Sequence, residues 1–247
     1  MSEWPKNTSF ESFKARWKLD GEALWCKVFE LHQDKMQIKN RDVAIHNLEK
    51  ILKSTFKLTY SKGFQGMSLR DLSRETGISM GGLYSYIGSK NDLAFLIHVV
   101  QRKYIEQVIG SLEEENLAPI ECLRAIIFGE IYMMEIMSPW YYFCFMELKG
   151  LPKEQQQGAL DVELQFEETL MKTIRKGIDT GDCFCEHPEL LATQITGQLQ
   201  QWHLKKWKFK MRDITTEQYA EFVFDSILSC LRVDTSDYSN AQFRRSG

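Results

Sequence analysis

The stretch Ser68–Leu93, "SLRDLSRETGISMGGLYSYIGSKNDL", decides how this chain folds. Ser68 with Asp71 three residues on is an acidic variant of a capping box, so a helix starts at Leu69, and Gly77 stops it after Thr76. Ser79 caps a second, short helix that runs from Met80 to about Ile87, where Gly88 breaks it. Ser89 followed by Asp92 then caps a long helix with the apolar stripe Leu93, Leu96, Ile97, Val100, Tyr104, Val108. Two helices joined by the three-residue turn Gly77–Ser79 form the helix-turn-helix layout, whose second helix enters the DNA major groove. The oddity is the pair Gly81 and Gly82 inside that helix, where each glycine costs about 1 kcal/mol relative to alanine.

In that geometry Ser79, Met80, Gly81, Gly82, Tyr84 and Ser85 lie near the leading surface, while Leu83 and Ile87 pack inward. Arg70 and Lys90 carry suitable charge for phosphate contact. The glycines admit two readings: close approach to a phosphate backbone or base methyl, or tight local packing and a frayed turn. Tyr84 and Tyr86 likewise divide between DNA contact and half-buried rings that serve the fold.

Upstream, the stripe Leu48, Ile51, Leu52, Thr55, Phe56 predicts a helix over 41–61, ended by Gly63. Residues 1–40 are an N-terminal extension of open role, rich in Trp and Phe, with helical spacing between Ala23 and Leu31. Downstream, helices are expected at 117–137, 139–149, 152–180, 188–210 and 215–231, the last opened by a Thr215–Gln218 capping box. The tail 234–247 is polar and expected to be disordered.

Of the 247 residues 43% are apolar, with only 5 Pro and 15 Gly, which fits a nearly all-helical globular chain. Net charge is −3, yet residues 1–103 hold 17 Lys+Arg against 11 Asp+Glu, and the remainder 14 against 23. A basic, nucleic-acid-facing part joined to an acidic body accounts for that asymmetry. The N-terminus has no apolar signal-peptide core, and the greasiest later segment is interrupted by Glu130 and Glu135, so the cytoplasm is the expected location, without membrane contact. The six cysteines are mostly scattered through apolar helical patterns, as small buried residues of a reducing compartment are.

Residues 68–97, "SLRDLSRETGISMGGLYSYIGSKNDLAFLI", resemble the signature of TetR-family transcriptional regulators. Arg70, Leu72, Gly77, Ile78, Ser79, Gly81, Leu83, Tyr84, Tyr86, Ser89, Lys90 and Leu93 carry the match; Met80 and Gly82 depart from it, since polar residues are more usual at both. The resemblance covers about 41–98 strongly. It implies an all-α fold: an N-terminal three-helix helix-turn-helix DNA-binding domain over 41–95 and a C-terminal helical ligand-binding and dimerisation domain over 96–233. It further implies that Tyr84, Tyr86 and Lys90 touch phosphates of a double-stranded operator and that Arg70 reaches a base or phosphate. A homodimer through the last two helices is implied too, and the broad stripe from Tyr219 to Leu231 fits such a buried face.

For a small-molecule effector, the aromatic and Met-rich set Phe128, Met133, Trp140, Phe143, Met146, Phe166 and Trp202 suggests an apolar or amphipathic ligand, the alternative being that these rings fill the core. Lys205 and Lys206 stand ready for an anionic head group or for solvent. Cys183, Cys185 and His187 form C-x-C-x-H, but the spacing is tight for zinc and a fourth ligand is not evident, so no metal or cofactor is expected. No nucleophile elbow, HExxH, P-loop or dinucleotide fingerprint is present, which argues against an enzyme. The expected function is a ligand-responsive repressor; the alternative is a helical small-molecule-binding protein or enzyme that does not use its DNA module.

Overall fold

The computed structural model describes residues 3–38 and 40–232, so the expected polar tail 234–247 lies outside the described residues. The fold is all-α, with no strand among the described residues. Helices α1 (Phe10–Arg16) and α2 (Gly21–His32), a 3-10 turn (Gln33–Lys35), α3 (Arg41–Lys62), α4 (Leu69–Thr76), α5 (Met80–Tyr84) and α6 (Lys90–Glu114) form the first half. There follow α7 (Pro119–Ile136), α8 (Ser138–Met146), a 3-10 turn (Leu148–Gly150), α9 (Lys153–Asp179), α10 (Pro188–Leu204), α11 (Lys206–Lys210) and α12 (Thr216–Cys230). Two compact units result: residues 14–108 with 133–163, and residues 3–13, 109–132 and 164–232.

In the first unit α3 is central, packing on α2, α4 and α8. Its buried face is Ala44, Leu48, Ile51, Leu52, Thr55 and Thr59. Asn40 caps it by accepting from the Val43 amide, and Gly63 ends it at φ 74°, a conformation that favours glycine. From α8, the Trp140 ring meets Phe56 edge-on at 5.0 Å and Phe143 meets Phe64 at 4.9 Å. Leu24, Trp25 and Val28 of α2 are buried in the same unit, so most of the extension is part of a core rather than an appendage.

In the second unit Trp4 and Phe13 pack edge-on at 4.9 Å, and Phe13 lies 5.4 Å from Tyr132, whose hydroxyl donates to the Thr8 carbonyl at 2.8 Å. Arg124 lies over Phe128 and Phe224 and donates to Glu221 at 2.7 Å. The helix expected over 188–210 is broken at Lys205, and the break brings Phe209 of α11 back to stack on Trp202 at 5.2 Å, with Tyr219 of α12 stacked on the same indole at 5.1 Å. The Thr215–Gln218 capping box forms as expected. Among the described residues no helix is long and apolar enough to cross a membrane.

Burial pushes the His98 and His203 imidazoles down to about 4. Below the ordinary histidine value of about 6.5 the unfolded chain therefore takes up protons that the folded chain refuses, and stability falls as pH drops toward 4; above that window these groups contribute no slope. Urea midpoints measured from roughly pH 7 down to pH 4.5 are expected to fall more steeply for the unaltered chain than for His98→Leu. Equal slopes would place the His98 titration elsewhere.

Candidate nucleic-acid interface

The motif is built from local hydrogen bonds. The Asp71 amide donates to Ser68 Oγ at 3.2 Å while Asp71 Oδ2 accepts from the Ser68 amide at 2.9 Å and from its hydroxyl at 2.7 Å. The Ser68 hydroxyl and amide bonds, then Lys62 at 3.0 Å, hold the Asp71 carboxyl well below the usual carboxylate range. Gly77 takes the left-handed C-cap conformation at φ 67°. The turn is closed by the Ser73 hydroxyl, which donates to the Ile78 carbonyl at 2.7 Å, and by the Ile78 amide, which donates to Thr76 Oγ1 at 3.2 Å.

The recognition helix α5 is shorter than expected. Ser79 Oγ accepts from the Gly82 amide at 3.1 Å, and beyond Tyr84 three-residue steps appear, Ser85 N to Gly82 O at 3.1 Å and Tyr86 N to Leu83 O at 2.9 Å, with Ile87 N sharing the Leu83 carbonyl at 3.0 Å. The two glycines have different surroundings. A Cβ on Gly82 would lie 2.9 Å from Ile78 Cγ2 and 3.2 Å from Ser79 Oγ, whereas one on Gly81 would meet nothing within 4 Å. Gly82, the departure from the family pattern, is therefore small for packing. Gly81 is the open position.

The expected DNA-facing residues divide by exposure. Arg70, Ser79, Gly81 and Tyr84 are exposed; Met80, Gly82, Ser85 and Lys90 are half-buried. Lys90 Nζ donates to the Gln65 carbonyl at 3.1 Å and lies 4.7 Å over the Phe64 ring; burial lowers its pKa, against an opposing pull from Glu147. Ser85 Oγ donates to the Gly81 carbonyl at 3.2 Å. Tyr86 is only 3% exposed, and its hydroxyl accepts from Asn47 Nδ2 at 2.7 Å, so of the two tyrosines it is the one that serves the fold. Its backbone carbonyl lies 2.8 Å from His32 Nε2, and the Ser85 carbonyl accepts from the Gln37 amide at 3.0 Å. Burial lowers the His32 pKa, against the opposing pull of that carbonyl; because a carbonyl oxygen only accepts, Nε2 carries the proton of this bond. His32, Gln37 and Asn47 were not among the residues singled out from the sequence, and only the apolar spacing of α2 hinted that this segment packs at all.

The residues expected to line an effector pocket are divided. Met133, Trp140, Phe143 and Met146 belong to the first unit, and Phe128, Phe166 and Trp202 to the second. Trp140, Phe143, Phe128 and Trp202 are packed ring against ring in their own units. Met146, the last residue of α8, is 52% exposed. A surface groove of about 260 Å³ in the second unit has a different lining, which includes Phe184, Cys185, His187, Leu190, Cys230 and Arg232. Cys183 is buried against the α9 backbone and burial raises its pKa, while Cys185 turns to the groove, so the C-x-C-x-H run does not converge. Among the described residues no group of three His, Cys, Asp or Glu side chains is placed to hold a metal ion.

A capped helix-turn-helix with exposed Arg70 and Tyr84 on an all-α chain defines a DNA-binding regulator. The family described as "Bacterial regulatory proteins, tetR family" matches residues 51–97. An uncharacterised HTH-type transcriptional regulator of Lactococcus lactis is 32% identical over 145 residues, covering 52% of this chain and 72% of that protein. The HTH-type transcriptional regulator HbdR of Aromatoleum sp. is 24% identical over 178 residues, covering 72% and 76%. Among solved structures, a tetR-family regulator from Rhodococcus RHA1 superposes with TM-score 0.66 at 16% identity, over 74% of this chain and 95% of that one. AibR, solved with isovaleryl coenzyme A and operator DNA, gives 0.63 at 21% identity (75% and 98% covered), and Bacillus subtilis FadR, solved with stearoyl-CoA, 0.57 at 16% (74% and 98%). The chain belongs to the tetR family of transcriptional regulators, which are not enzymes.

The glycine environments predict opposite outcomes for two alanines. Gly81→Ala gains helix propensity without a clash, whereas Gly82→Ala must displace Ile78; the first is expected to unfold in urea with a free energy about 1 kcal/mol or more above the second. Identical stabilities would remove the packing account of Gly82.

Proposed function

We propose that the chain is a dimeric repressor that leaves a palindromic operator when an apolar or amphipathic effector binds its helical body. The observation that carries the reading is the recognition helix itself: a five-residue helix, capped at Ser79, with Tyr84 50% exposed, Arg70 exposed on the preceding helix and Lys90 at the next helix start. In this reading 41–95 holds the DNA, Tyr84 and Lys90 grip phosphates, Arg70 reaches a phosphate or base, and 96–233 supplies effector binding and dimerisation in the cytoplasm. Exposed Leu190 on α10 and Phe222 on α12, 67% and 69% accessible on two helices that pack together, support a self-complementary apolar face there. Two recognition helices related by a dimer axis would sit about 34–36 Å apart, hence the palindrome.

The effector class to test first is an acyl thioester of coenzyme A, since two neighbours of the same fold were solved with one. Release requires that the effector bind one arrangement of the dimer better than the DNA-bound one; the differential affinity sets the shift. In fluorescence anisotropy on the DNA upstream of its own gene, binding is expected to be tighter than to random duplex and to weaken steeply with salt. Lys90→Ala is expected to reduce the log–log salt slope by about 0.9, as loss of one phosphate contact does. Isovaleryl-CoA or stearoyl-CoA is expected to weaken operator binding roughly 5- to 150-fold. Equal affinity for upstream and random DNA, unchanged by Tyr84→Phe or Lys90→Ala, sinks the regulator reading.

A further inference from the structure

The recognition helix is short of side chains that read bases. Met80 offers only an apolar contact, Gly81 and Gly82 offer none, Ser79 Oγ is engaged as the cap and Ser85 Oγ donates to the Gly81 carbonyl. The N-terminal extension lies immediately beside this helix. The Gln37 amide donates to the carbonyl of Ser85, the residue that follows exposed Tyr84, so the backbone at Gln37 sits one hydrogen bond from the proposed DNA-facing surface. His32 fixes the next carbonyl, Tyr86, from the buried side, and α2 packs along α3. The segment is thus held in register with α5 by two bonds and a packed helix.

Its side chains point to the same partner. Gln37, Lys35 and Arg41 are exposed. The Lys35 ammonium lies 4.4 Å over the Phe95 ring and the Arg41 guanidinium 5.8 Å over Phe29, and neither forms an ion pair with a carboxylate among the described residues. Both cations are supported by rings with their charge uncompensated, as phosphate-binding groups are. We propose that Lys35, Gln37 and Arg41 form a second DNA-contacting element docked against the recognition helix, in which the two cations hold duplex phosphates and the Gln37 amide reads a base edge. A glutamine side chain can donate and accept at once, as an adenine edge requires. The inference rests on the DNA-binding reading above.

The test uses the full chain and the DNA upstream of its gene, with anisotropy across a salt series and hydroxyl-radical footprints. Lys35→Ala with Arg41→Ala is expected to lower the log–log salt slope by about 1.8, twice the value for one phosphate, and to lose protection at discrete backbone positions. Gln37→Ala keeps the amide that bonds Ser85, so the helix stays placed; the ratio of operator to random-duplex affinity is expected to fall roughly 10-fold or more, the size of one lost base contact. Circular dichroism melts confirm that the variants fold. If slope, footprint and specificity are all unchanged while Tyr84→Phe or Lys90→Ala still weakens binding, the extension only braces the motif and the proposal is overturned. If the unaltered chain itself shows no preference for the upstream DNA, the regulator reading falls and takes this one with it.

Discussion

The bond between His32 and the Tyr86 carbonyl anchors the chain just past the end of a helix too short to hold itself. Every α-helix leaves its last four carbonyls without partners in its regular ladder, and in α5 those of Gly81, Gly82 and Leu83 are met by Ser85 Oγ, the Ser85 amide and the Tyr86 amide. Such a segment is also far below the length at which a helix persists in water. Its position is therefore held by its surroundings: Ser79 caps the start, Leu83 is buried, Asn47 holds the Tyr86 hydroxyl, and Gln37 and His32 bond the Ser85 and Tyr86 carbonyls that follow it. The exposed surface of Gly81 and Tyr84 depends on those anchors.

What was legible in the sequence was what the chain decides locally. Ser68 with Asp71, Gly77, Ser79 and Thr215 with Gln218 announce helix ends by bonds between residues three apart, and these caps form. Helices with long stripes, such as α3, α9 and α12, fall within a residue or so of the expected limits. What departs from the spacing, or was left open by it, has distant causes. The break at Lys205 goes with the return of Phe209 onto Trp202, where Tyr219 also stacks; residues 3–13 are held where Trp4 and Phe13 meet one another and Tyr132; the His32–Tyr86 bond spans 54 positions.

The glycines and the aromatic set show the same limit in finer detail. Spacing put both glycines in one helix but said nothing of Ile78 Cγ2, the atom that a Cβ on Gly82 would have to displace, while a Cβ on Gly81 would meet open space. Composition identified the rings of α7, α8 and α10 as the greasiest part of the body. Whether a ring meets a ligand or another ring depends on the fold, and here Trp140, Phe143, Phe128 and Trp202 have ring partners.

A recognition helix held by residues from elsewhere is not a portable module. Moving Ser79–Ile87 into a relative without an equivalent of residues 14–40 would deliver the letters of the motif without His32 or Gln37 to anchor the residues that follow the helix. Chimaeras that seek to retarget this regulator should therefore exchange everything from α2 through the start of α6 as one cassette.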